Sequence, residues 1–274
     1  MKNTKEPTFL CVGAMKAGTH TWYNMITQHS LVSKNKKELH FFNRNENFKK
    51  GKDYYISQFN DDKILRGEAT PSYLSADIAE KIHSMFPNIK IIIILRNPVD
   101  RLISHYKMRK YIYNISQDIL SYVYSQPYLI ENSLYYEAVN RYIELFGGNV
   151  KIIKFEDFIN NQIDTIKDSC EFLDIPFEND ISSKVDINES RSNSKILSIF
   201  KTFIFKTFGY KISQKLNDFI NYKCYSIAMK LNLISVNSLF EIDKSVRNDL
   251  TSLFIDDIVK LEKIIKLDIS DYKD

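Results

Sequence analysis

Ile89–Leu95 reads IKIIIIL, an almost unbroken apolar run of strand length. A strand with one wet face alternates apolar and polar residues, so a run apolar at nearly every position needs cover on both faces. Thr8–Gly13 (TFLCVG) and Val150–Phe155 (VKIIKF) read as two more strands. Helical spacing fills the intervals. It runs through Thr19–Gln28, with Trp22, Met25 and Ile26 on one side, then Leu74–Met85, Pro98–Tyr113, Ser133–Phe146 and Thr165–Leu173. Proline is tolerated in the first turn of a helix, which suits Pro98. Strands alternating with helices predict an α/β fold, a three-layer sandwich around a central parallel sheet.

The 274 residues contain only 7 Gly and 6 Pro, too few for long flexible linkers. From about residue 194 the pattern is mainly helical, ending in Lys244–Ile265 with apolar Val246, Leu250, Phe254, Ile258 and Leu261. We therefore expect a single domain over 1–274, with the C-terminal part as helical cover. A net charge of +4 without a dominant basic block suits anionic small molecules better than nucleic acid. Cys11, Cys170 and Cys224 lack metal-ligand spacing and read as free buried thiols in a reducing compartment. Met1–Pro7 is polar, without the apolar core of a secretory signal, and the expected location is cytoplasmic.

Four segments carry chemistry. The first is GAMKAGTHT, Gly13–Thr21, a glycine-bearing turn between strand and helix. Such a turn presents backbone N–H groups and a positive dipole end to an anion. Gly13 and Gly18 have Walker A spacing, but Thr19 and His20 stand where the Walker lysine and hydroxyl should follow, and the lysine lies inside the loop at Lys16. In the second, strand Ile89–Leu95 delivers Arg96 at its C-terminal end, where α/β sheets place ligands. Its guanidinium suits a phosphate. Ser104 adds a hydroxyl in the following helix, while Asp100 and Arg101 read as cap and surface residues of that helix.

The third segment is KKELHFF, Lys36–Phe42. Glu38 and His40 stand two apart, on one side of an extended chain, and either is a candidate proton acceptor. The fourth is GEATPSY, Gly67–Tyr73, with Glu68 and Thr70 as candidate polar contacts for an acceptor. A plain turn and helix cap explain that segment equally well. A P-loop kinase or NTPase, and a non-catalytic nucleotide- or glycan-binding module, are the rival readings.

Together these segments resemble the sulfotransferase family, specifically its carbohydrate branch related to heparan sulfate sulfotransferases. GAMKAGTHT resembles the 5′-phosphosulfate loop, LRNPVDRLISHY the 3′-phosphate motif, KELHFF the catalytic segment and GEATPSYL the substrate-side loop. FEDF (Phe155–Phe158) and the stretch from Ile242 to Ser270 resemble bacterial members. The resemblance implies a P-loop-like sulfotransferase domain using 3′-phosphoadenosine-5′-phosphosulfate (PAPS), without a metal. It assigns Lys16, Ala17, Gly18, Thr19, His20 and Thr21 to the 5′ end of PAPS, and Arg96 and Ser104 to the 3′-phosphate. Glu38 becomes the general base and Lys16 the stabiliser of the leaving phosphate, with Glu38, His40, Glu68 and Thr70 facing a glycan or glycolipid acceptor.

The chain departs from the family pattern in places. His20 stands where a second small hydroxyl residue is commoner, and Ala69 where lysine often follows the glutamate. NESRSNS, with Arg191, only partly matches a segment near the nucleotide. The C-terminal glycine-rich motif of aryl and steroid sulfotransferases is missing, which weighs against a phenol or steroid acceptor. Lys195–Lys230 interleaves seven lysines with Phe200, Phe203, Phe205, Phe208 and Tyr210. It reads first as core-packed helices with a solvated lysine face, and second as a peripheral contact with an anionic membrane or glycan.

Overall fold

The computed structural model describes residues 6–34, 38–59, 62–113, 115–182 and 242–273. Arg191, Cys224 and the basic-aromatic stretch Lys195–Lys230 lie outside these residues. The chain divides into two units: Met1–Arg101, Glu131–Val185 and Thr251–Asp274 form one, and Leu102–Ile130 and Asp186–Leu250 the other.

The first unit is built on four parallel strands, β1 (Phe9–Gly13), β2 (Gly67–Ala69), β3 (Lys90–Leu95) and β4 (Val150–Lys154), in the order β2-β1-β3-β4. The expected parallel α/β fold is present. Ile91–Leu95 in β3 and Phe9–Val12 in β1 are wholly buried. Each such side chain contributes about 1.5–3 kcal/mol relative to exposure, which selects the unbroken apolar run.

Helices α1 (Thr19–Ile26), α2 (Asn45–Phe48), α3 (Gly51–Ile56) and α4 (Ala76–Met85) precede β3. α5 (Pro98–Tyr113) follows it and runs on into the second unit, where α6 (Ile119–Ser125) and most of α7 (Tyr128–Glu131) lie. There Arg109 donates from Nε to the Tyr122 hydroxyl (2.8 Å), and the Asp118 carboxylate caps α6 by accepting from Ser121 N–H (2.9 Å). The first unit resumes with α8 (Tyr136–Phe146), α9 (Phe155–Asn160) and α10 (Gln162–Phe172). α1 packs on α10, where the Trp22 indole donates to Ser169 Oγ at 3.0 Å inside the core.

The structure corrects several boundaries. β2 reads from sequence as a turn, yet it pairs with β1 at Phe9↔Gly67, Leu10↔Glu68 and Cys11↔Ala69. Three residues carry no visible period, and Gly67 is set by contact: a Cβ there would stand 2.4 Å from the Phe9 carbonyl oxygen. The expected helix over Lys244–Ile265 is two, α11 (Lys244–Ser252) and α12 (Ile255–Glu262). Phe155 starts α9 rather than ending β4. Cys11 and Cys170 are free and buried, and no helix among the described residues is long and apolar enough to cross a membrane.

Candidate active site

The loop after β1 is shaped by residues with positive φ. Lys16 lies at φ 69° and Gly18 at 76°, so the chain turns sharply before α1. At Gly18 a side chain would be strained and would meet the Phe155 ring at 3.0 Å. Ala14 N–H donates to the Ile94 carbonyl (2.6 Å), tying the loop to β3. The first helical bond of α1 runs from Trp22 N–H to the Gly18 carbonyl, so the N–H groups of Thr19, His20 and Thr21 precede it, as donors do at any helix start. The first turn holds no acidic residue. Its positive end is left for an anion.

Arg96 follows β3 and donates from a terminal nitrogen to the Lys16 carbonyl (3.1 Å), while its guanidinium stacks on Phe155, 4.6 Å from the ring centroid. Its Nε is buried without a hydrogen-bond partner. Tyr135 donates to the Arg96 carbonyl (3.1 Å) and Tyr272 to the Leu95 carbonyl (3.2 Å), which fixes the strand end. The Lys16 residue is only partly buried but its ammonium is enclosed. That enclosure, with the positive charges of Arg96 and Arg101, pushes its pKa down to about 8.

Glu38 and His40 both sit in the left-handed region, at φ 54° and 51°, not on the extended segment expected from sequence. They still meet: His40 Nε2 lies 3.5 Å from Glu38 Oε2. His20, in the first turn of α1, places Nε2 2.6 Å from Glu38 Oε1. The hydrogen bond from His20 chiefly, then the charges of both histidines, hold the Glu38 carboxyl below its usual range against the opposing effect of burial. The Asn43 amide nitrogen lies 3.3 Å from His40 Nδ1 and donates to Ser72 Oγ (2.6 Å).

A glycine-bearing turn, an arginine at a strand end and a carboxylate docked on the helix that follows the turn make one constellation. The sulfotransferase domain matches residues 6–219, through segments of both units. The chain belongs to the sulfotransferase family. The chain is 34% identical over 103 residues to heparan sulfate glucosamine 3-O-sulfotransferase 5 of Mus musculus, 36% of this chain and 30% of that protein. It is 36% identical over 105 residues to heparan sulfate glucosamine 3-O-sulfotransferase 6 of Homo sapiens, with the same coverage of 36% and 30%. The matches thus span about 30% of the length of these relatives. A solved sulfotransferase from Alicyclobacillus acidocaldarius has the same fold, with a TM-score of 0.68 at 23% identity over 98% of this chain and 99% of that one.

Other expected site residues lie elsewhere in the chain. Glu68 and Thr70 are fully buried and do not face an acceptor. Glu68 lies in β2 and Thr70 just beyond it, and the Glu68 carboxylate accepts from Tyr55 (2.7 Å), Tyr73 (3.0 Å) and Thr70 (2.6 Å). Arg101 is not a surface residue. It is wholly buried and donates to Ser133 Oγ (2.6 Å), which donates on to the Pro98 carbonyl (3.1 Å). Nor is Asp100 the cap of α5: Asn97 Oδ1 takes that place, accepting from Val99 and Asp100 N–H at 3.0 and 3.2 Å. Ser104 lies in α5 within the second unit, half-buried. Asn43, Ser72 and Phe155 were not singled out from sequence. Only Asn43, a polar residue three beyond His40, left a local signal there.

Proposed function

We propose that this chain acts as one domain that transfers a sulfuryl group from PAPS to a carbohydrate hydroxyl. The observation that carries the reading is the 2.6 Å contact between Glu38 and His20, because it docks a carboxylate on the helix into which the anion-binding loop leads. The donor set fits a doubly anionic nucleotide: an enclosed ammonium at Lys16, N–H groups at the start of α1, and a buried guanidinium nitrogen on Arg96 without a partner. The carbohydrate acceptor is supported by the relatives, which are heparan sulfate sulfotransferases by name, and by the KELHFF segment.

In the proposed step the acceptor oxygen attacks sulfur as Glu38 takes its proton. The bond from sulfur to the 5′-phosphate oxygen breaks, and its electron pair leaves on 3′-phosphoadenosine-5′-phosphate (PAP). Lys16 and the loop N–H groups balance the charge growing on that oxygen. Arg96 holds the remote phosphate and sets the donor's orientation. Incubation with ³⁵S-labelled PAPS and a panel of cell-envelope glycans should label a glycan. Binding of ATP in preference to PAP, with no glycan labelled, would point instead to a P-loop kinase or NTPase.

A further inference from the structure

We infer that Glu68 is a positioning residue that holds the Glu38–His40 segment in its working conformation. The inference rests on the proposed role of Glu38 as base, and its own argument is geometric. Glu68 belongs to β2, in register with Leu10 of the central sheet, and is wholly buried. One carboxylate oxygen accepts from Leu39 N–H at 2.9 Å, the amide between Glu38 and His40. The other accepts from the Tyr73 hydroxyl, whose oxygen in turn accepts from Phe41 N–H at 2.7 Å. A single buried carboxylate thus reaches alternate amides of the segment, one directly and one through a phenol.

The energetics favour this assignment. Left-handed backbone is strained for any non-glycine residue, and Glu38 and His40 both adopt it. Hydrogen bonds from the segment's own amides to a buried acceptor oppose that strain. Burial raises the Glu68 pKa, while bonds from Thr70, Tyr55, Leu39 and Tyr73 oppose the rise. Four hydrogen-bond donors converge on the Glu68 carboxyl group. A glutamine in its place presents an amide N–H₂ to one pair of donors, and a donor facing a donor leaves both unsatisfied.

The test uses the full chain and two readouts. The first is the carboxyl ¹³C titration of Glu38, assigned by its loss in Glu38→Gln. The Glu68→Gln variant should move this titration upward, toward an ordinary carboxylate, because Glu38 slips from His20 and His40. Tyr73→Phe, which keeps Glu68 but removes the acceptor for Phe41 N–H, should move it the same way by less. The second readout is kinetic: kcat should fall on the order of 10²-fold with the KM for PAPS unchanged, the signature of a displaced catalytic group. Ser169→Ala, which removes the buried bond from Trp22, should lower stability and leave both readouts in place. An unmoved Glu38 titration in both variants overturns the inference, as does an equal shift in Ser169→Ala. A shifted titration in a protein that sulfates no glycan upholds the anchoring by Glu68 and removes the proposed function instead.

Discussion

His20 and Glu38, 18 residues apart in sequence, join imidazole to carboxylate at 2.6 Å in the first turn of α1. The bond is the leading cause of the lowered Glu38 pKa, so Glu38 stays ionised as pH falls further than a free carboxylate would. His20→Ala should raise that pKa and shift the acid limb of kcat upward. The variant should therefore lose more activity at about pH 5 than at pH 7, a difference that a pH–rate profile reads directly. A loss equal at every pH would reduce His20 to packing.

Glu38→Gln keeps the side chain's size and removes its capacity to take a proton. The expected fall in kcat is about 10²–10⁴-fold. PAP affinity by calorimetry should remain that of the parent, because the proposed donor contacts are in the loop after β1 and at Arg96. Loss of PAP binding together with activity would place Glu38 in the nucleotide site.

Lys16 titrates at about 8, near working pH, so kcat/KM for PAPS should decline above that value as its charge is lost. The same shift makes a stability prediction. Between about pH 8 and 10.4 the unfolded chain binds the proton that the folded lysine has released, so stability rises with pH there. Below that window the folded protein bears the full cost of the enclosed charge. Lys16→Met should then be more stable than the parent at pH 7, by on the order of 2–3 kcal/mol, while losing turnover. Thermal denaturation at pH 7 and pH 10 checks both the sign and the window.

Arg96→Ala should weaken PAP by about 1.5–3 kcal/mol, the range for a charge-assisted hydrogen bond. Adenosine 5′-phosphosulfate, which lacks the 3′-phosphate, should lose much less. Equal losses for the two ligands, measured by competition calorimetry, would assign Arg96 to the loop it braces through the Lys16 carbonyl.

The sequence made the frame of this site readable and hid its joints. β1 and β3 announce themselves because burial on both faces demands apolar residues throughout, and Arg96 follows from the end of β3. β2 does not, since three residues cannot show a period. Missing it turned Glu68 outward on paper, toward an acceptor, whereas pairing with Leu10 buries it. Arg101 looked like a surface charge because its partner, Ser133, stands 32 residues away and only the fold brings them together. The contact of Glu38 with His20 was likewise invisible, for a left-handed backbone at a glutamate leaves no mark in composition.

On the proposed reading, the enclosed ammonium of Lys16, with Arg96 and Arg101 near enough to depress its pKa, makes the loop a competing site for doubly charged oxyanions. Assay buffer then becomes a reactant in all but name. Phosphate or sulfate at millimolar strength would occupy the loop, raise the apparent KM for PAPS and leave kcat alone. Activity surveys in such salts would mistake a competed enzyme for a feeble one.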